Sequence, residues 1–437
     1  MYRKKGMGGS DTGAKLKAGC VLPVLAAVFA AVFVSCETRR DKAVEIVLVN
    51  NKIEIDGALK AYAELYERET GVKVVVRSFG GEVPYVPNLA SIFKAGMEPE
   101  IIAFEGISGY TEAENSGRIT DLSDEPWAGD TDLAYLSPTD GSVVGFPVSI
   151  EGWGLAYNAH LLRKAGVDPM TMVNIEGIKA AFEKIEATKE SLGIEAVVSM
   201  VAGPGMTWVT GRHSVNAYLA LGLPPESSRL YVDMLLDGKV DSRRLAYFAE
   251  YMELLFSHSV KETLLSGGYD AQIEDFANGR TVFIHQGNWI DPILESKGVD
   301  FEMGFVPHAF LPETTDGIFV GVPSFYFVNA RSGHVEEAKR FLCHMATTTE
   351  GHDFMVNKAG MICPFRSATL RPSGRLSRAV LEWADSGGCF PWLQNCMPES
   401  FGTHTLGPIF HRLACGDIDV DEFARLFAFA VGEIPGS

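Results

Sequence analysis

The chain has 437 residues, 22% of them charged, with 38 Lys+Arg against 56 Asp+Glu and a formal net charge of −18. That length allows two or three domains, and 46% hydrophobic residues supply a sizeable core, which excludes an extended disordered chain. So acidic a protein lacks an overall basic footprint for nucleic acid or for an anionic membrane surface.

Met1 to Lys17 carry five basic residues (Arg3, Lys4, Lys5, Lys15, Lys17) and one acid, Asp11; the uncharged stretch Ala18–Val34 follows, then Ser35-Cys36. A basic segment followed by an apolar one is the layout of a secretory signal. A retained transmembrane anchor and ordinary secretion are the alternatives, but the apolar stretch is at the short limit for a span and contains Pro23. Ser35-Cys36 and the polar run Glu37-Thr38-Arg39-Arg40 resemble a bacterial lipoprotein processing site, with Phe33 where Leu is usual. The resemblance implies that residues 1–35 are a signal peptide and that Cys36 is lipidated. Their removal takes five basic residues and one acid away, leaving 402 residues at −22, so the acidity belongs to the exported body.

Val44–Val49 is a short apolar run of the kind that forms a buried strand. Gly57–Thr70 has apolar residues at Ala58, Leu59, Tyr62, Leu65 and Tyr66, the spacing of one helix face, and Gly71 is a natural stop. Val72–Val76 and Ile101–Phe104 read as the next strands, and this alternation predicts a parallel sheet with right-handed crossovers. Further on, helices are expected over Ile175–Lys189, Val215–Leu221, Arg243–Phe256, Val335–Thr347 and Val420–Val431, and strands over Ala196–Met200 and Thr281–Ile284. No repeat and no Pro/Ser-rich linker interrupts them, so two α/β lobes are expected to be joined through strands.

The sequence contains no phosphate loop, zinc helix, nucleophile elbow or dinucleotide fingerprint. His344 and His352 flank a helix end eight residues apart, a spacing that fits a solvated surface better than a metal. Five cysteines (Cys343, Cys363, Cys389, Cys396, Cys415) fall in the last quarter without a C-x-x-C; their odd number leaves at least one thiol free, and their clustering allows a stapled tail. Glu105 and Glu151 are candidates for the acid and base of a glycoside hydrolase, although nothing in the sequence sets their separation.

Aromatic residues recur beside polar, Gly-rich turns at strand ends: Phe104-Glu105-Gly106, Glu151-Gly-Trp153-Gly, Gly205-Met-Thr-Trp208 before Arg212-His213, and Gln286-Gly-Asn288-Trp289. In open α/β sheets ligands bind beyond the carboxyl ends of strands. A sugar ring has apolar faces and a rim of hydroxyls, so it needs flat aromatic surfaces together with carboxylates and amides.

In order along the chain stand Thr70-Gly-Val-Lys-Val74, Pro99-Glu-Ile-Ile102, Gly117-Arg-Ile-Thr-Asp-Leu122, Gly145-Phe-Pro-Val148, Glu151-Gly-Trp-Gly-Leu-Ala-Tyr-Asn158, Gly279-Arg-Thr-Val-Phe-Ile284 and Gly321-Val-Pro-Ser324. Together they resemble family 1 extracellular solute-binding proteins of ABC transporters, the maltose-binding-protein group, over nearly the whole chain after the leader. Pro-Glu at 99–100 replaces the more usual Pro-Asp.

The resemblance implies an α/β, two-lobed periplasmic-binding-protein-like (type II) fold with a hinged interlobe cleft. Lobe one would span 42–150 and 324–368, lobe two 151–323 and 369–437, with hinges near Ile150 and Val320-Gly321. Glu105 and Glu151 would accept sugar hydroxyls, and Trp153, Trp208 and Trp289 would supply stacking surfaces. His213 and Asn288 would line the cleft, with Phe401 or Trp392 reaching it from the final segment. The implied partners are a carbohydrate and the permease of an ABC transporter, with the membrane reached through the lipid on Cys36. A monomer without cofactor or metal is expected. The rival readings are a receptor of the same fold for a cationic or peptide-like solute, which the charge favours, and a secreted glycosidase.

Overall fold

In the computed structural model the described residues are 44–434 apart from 399. The leader and Cys36 lie outside them. Residues 45–50, exposed at Glu45 and buried from Leu48 onward, form β1 (Glu45–Asn50). The helix Asp56–Thr70 then buries Leu59, Tyr62, Ala63 and Tyr66, one stripe at helical spacing, and ends at Gly71 with φ 75°, the left-handed cap that glycine adopts without strain. β2 (Lys73–Ser78) and β3 (Ile101–Phe104) flank β1 in parallel, as the alternation predicts.

Beyond them the sheet departs from expectation. β4 (Tyr135–Leu136), β5 (Val143–Pro147) and β11 (Phe325–Val328) complete a six-stranded sheet in the order β2-β1-β3-β11-β5-β4, and β11 is antiparallel to both neighbours. The reason is the route of the chain. β5 runs out of this sheet and β11 runs back into it at the same end, so the two must point in opposite directions.

The second sheet mirrors that traffic. β6 (Glu151–Asn158) starts where the chain arrives and β10 (Ile318–Gly321) ends where it departs, and they pair antiparallel with Gly321 opposite Glu151. β7 (Ala196–Ser199), β8 (Thr281–Gly287), β9 (Met303–Val306) and β12 (Cys389–Phe390) complete it. The order is β12-β10-β6-β8-β7, with β9 beside β6. Between the sheets the crossing segments are tied together: Val148 N–H donates to Ser324 O at 3.1 Å and Ile150 N–H to Ile362 O at 2.9 Å.

Each sheet is buried on both faces. In β3 the residues Ile101 and Ala103 face a core with Leu48, Tyr62 and Phe341, whereas Ile102 and Phe104 face one with Phe325 and Phe327. In the second lobe Leu155 and Phe283 face one core, Ala156 and Ile284 the other. The tail is not stapled: all five described cysteines are free thiols. Its helix Val420–Gly432 is held by Phe423 and Phe427 packed against Phe410, Tyr218 and Phe248. Among the described residues no helix is long and apolar enough to cross a membrane.

Candidate functional site

β1 delivers Asn50 to a fully buried position, where its amide donates to Lys52 O at 2.7 Å and to Ser78 Oγ, and accepts from Tyr326 at 2.8 Å. This fixes the turn that aims Lys52 at the space between the sheets. The Lys52 ammonium pairs with Glu151, the first residue of β6, and lies 3.5 Å from Glu54. Ser149 donates to the same Glu151 oxygen at 2.8 Å. Burial disfavours the Lys52 charge, yet the two carboxylates outweigh it and raise its pKa. Burial, with Glu151 close by, raises that of Glu54 despite Lys52.

β3 delivers Glu105, whose two oxygens are both engaged. One accepts from Asn51 Nδ2 at 2.7 Å and Ser324 Oγ at 3.3 Å; the other accepts from Arg212 Nη1 at 2.7 Å. The other arm of the Arg212 fork donates to Asn395 Oδ1 at 3.1 Å, and Asn395 donates to Pro323 O at 3.2 Å.

Four tryptophans surround His213. Their ring centroids lie 5.4 Å (Trp153, stacked), 5.0 Å (Trp208), 5.3 Å (Trp289) and 5.5 Å (Trp392) from its own. Burial, followed by His285, Arg212 and Lys52, depresses the His213 pKa well below the usual imidazole range, so the ring is neutral at pH 7. Trp289 is oriented by an amide relay: its Nε1 donates to Gln286 Oε1 at 2.8 Å, and Gln286 donates to Gln272 at 2.7 Å. Lys52, Glu54, Glu151, Asn288 and Trp289 border a void of about 10 Å³, room for a single water.

Glu105, Glu151, Trp208, His213, Asn288 and Trp289 therefore converge on one region. Asn288 is held by the protein, accepting from Gly152 N–H at 2.8 Å and donating to Ser377 at 3.1 Å. Two expectations need correction. Trp153 is 1% exposed beneath His213, Trp392 and Phe319, because its alternate position on β6 points into the core. It supports the tryptophan ring and presents no face of its own. Phe401 is likewise buried in the core behind the second sheet.

Sequence reading passed over Lys52, Glu54, Asn51, Arg212 and Asn395, and placed Trp392 there only as an alternative to Phe401. Arg212 was legible as the neighbour of His213; Lys52 had only its place after a buried strand as a signal. Among the described residues no group of three His, Cys, Asp or Glu side chains is arranged to hold a metal. His344 bonds Tyr62 at 2.6 Å and Glu69 at 3.0 Å, and His352 bonds Ala346 O at 2.7 Å.

Comparison with known proteins supplies the family. Residues 61–373 match the family model described as bacterial extracellular solute-binding protein. An uncharacterized ABC transporter extracellular-binding protein of Pyrococcus horikoshii is 21% identical over 345 residues, spanning 74% of this chain and 72% of that protein. Among solved structures, a sugar transporter of Bacillus licheniformis in complex with stachyose has TM-score 0.70 and 19% identity over 88% of this chain and 98% of that one. The binding protein RafE with raffinose has TM-score 0.72 and 18% identity, covering 89% of this chain and 99% of that one. A chitin oligosaccharide binding protein has TM-score 0.71 and 16% identity over 89% and 98%. These likenesses establish the two-lobed type II fold, and the family match over residues 61–373 establishes that the chain belongs to the bacterial extracellular solute-binding proteins.

Proposed function

We propose that this protein captures an oligosaccharide outside the cytoplasm and delivers it to the permease of an ABC transporter, held at the membrane by lipid on Cys36. Its lobes would be 42–150 with 324–368 and 151–323 with 369–437, hinged at the crossing strands. The carrying observation is the convergence, from both sheets, of carboxylates (Glu105, Glu151) and half-buried indoles (Trp208, Trp289) on one interlobe region. Such a lining suits a ring with apolar faces and a hydroxyl rim. The stachyose, raffinose and chitin-oligosaccharide proteins of the same fold support that ligand class. Ligand would bind one lobe and close the other over it, shifting the open–closed population by its differential affinity. No bond is made or broken in this reading.

The test is a titration with raffinose, stachyose and a chitin oligosaccharide, following tryptophan fluorescence and thermal unfolding. A saturable fluorescence change and a raised transition are expected for at least one sugar. Trp208→Ala and Trp289→Ala should each weaken its binding about tenfold, the contact energy of one aromatic face. If none of the sugars moves the transition, the sugar assignment fails; if sugar is cleaved during the titration, the reading without chemistry fails. Binding that collapses steeply with salt would favour a cationic solute instead.

A further inference from the structure

The charged contacts of the site join one lobe to the other. Lys52 follows β1 and Glu151 opens β6; Glu105 follows β3, and Arg212 lies on the second-lobe segment Val209–Ser214. Around them the lobes meet again. The Glu82 carboxylate occupies the space that a side chain on Gly268 would take, and Asn395 does the same at Gly106.

We infer that Arg212 is an internal competitor for the ligand: it occupies one Glu105 oxygen when the lobes are together and contends for that oxygen with donors from a solute. Three observations lead there. Both Glu105 oxygens already accept protein hydrogen bonds, and only the one from Arg212 crosses from the second lobe's own helical segment. The Arg212 fork is itself held in line by Asn395, which is anchored on the crossing at Pro323. The Glu105–Arg212 pair spans the two lobes at 2.7 Å, so any opening that parts them breaks it. A protein closed by its own charges lowers the apparent affinity for its solute by the fraction of molecules that are open. The pair thus sets how far the receptor stays shut until a solute with enough hydroxyls to replace the guanidinium arrives. This role deepens the proposed function and rests on it only for the identity of the solute.

The first experiment uses no ligand. Small-angle scattering and acrylamide quenching of tryptophan fluorescence report opening of the full protein at low and high salt. Arg212→Gln should raise the open-to-closed ratio about tenfold, as expected for one charge-assisted hydrogen bond, and should remove most of the salt dependence. Glu105→Gln should act in the same direction, and the double variant should add little. Arg212→Lys, which keeps the charge without the fork, should recover part of the closure. A folded Arg212→Gln protein with the scattering and quenching of wild type overturns the inference; if that variant does not fold, Glu105→Gln decides by the same readings. In a second arm, stopped-flow mixing with raffinose should show association about tenfold faster for Arg212→Gln. Failure of raffinose to bind either protein counts against the sugar assignment and leaves the ligand-free result to decide the role of Arg212.

Discussion

Lys52 lies between two carboxylates with 8% of its side chain exposed, and its partner Glu151 has 7%. In so dry a place the desolvation of three charged groups is costly, and only their mutual attraction offsets it. Removing the cation is therefore far worse than removing a surface lysine. Lys52→Met leaves Glu54 and Glu151 facing each other unpaired, and a loss of about 3–5 kcal/mol is expected in denaturant unfolding at pH 7. Burial and Glu151 already hold the Glu54 pKa up, so protonation relieves the defect and the gap from wild type should narrow at pH 5. An equal gap at both pH values would contradict this account. Nothing in the sequence around Lys52 announces the role, since its partner Glu151 is 99 residues away.

Two single-turn π-helical segments, Val209–Ser214 and Phe401–Leu406, cross behind the site. They meet through glycines: a Cβ on Gly211 would overlap the carbonyl of Gly402. This close approach holds Arg212 and His213 in place. Gly211→Ala should cost about 1–3 kcal/mol by overpacking and weaken solute binding as well, through displacement of the nearby His213 and the indoles packed on it. Denaturant melts paired with the sugar titration check it; full stability with unchanged binding would show that the crossing is not needed. The sequence reads here only as a helix from Val215, which is found at Val215–Ala220. The preceding π segment has no periodic signature, because its extra residue is imposed by packing against a strand of chain almost 200 residues later.

At the scale of the molecule, acid should be the solvent condition to which this protein is most sensitive. His213, His285 and His308 are all buried around Trp153, and burial is the main cause that depresses each imidazole pKa, that of His285 from 6.5 to about 3. Between these values the unfolded chain binds protons that the folded one refuses, so stability is complete above about pH 6.5 and falls as the pH is lowered toward 3. His285 alone predicts a loss of about 1.4 kcal/mol by pH 5.5 relative to pH 7.5, and His213 and His308 act in the same direction. Replacing His285 with Phe should return about that 1.4 kcal/mol. Urea unfolding at pH 7.5, 6.5 and 5.5 measures the slope, and a flat profile would mean that the three rings take up protons within the fold.

Local order was legible because it depends on local pattern. β3 spans Ile101–Phe104 and one helix Val335–Thr347, both as read from apolar periodicity. The acceptors at strand ends, Glu105 and Glu151, and the indoles Trp208 and Trp289 were likewise visible from residue type and position. The antiparallel entry of β11, the burial of Trp153 and Phe401, and the interlobe pairs of Lys52 and Arg212 were not. Each depends on where the chain goes after leaving its own lobe, and a strand's direction or a charge's partner is settled by what packs beside it. Composition and periodicity determined the α/β class of the lobes and the chemistry available to them. Tertiary structure alone decided which of those groups face one another across the cleft, because contacts between residues 99 or 107 positions apart leave no mark on the local pattern.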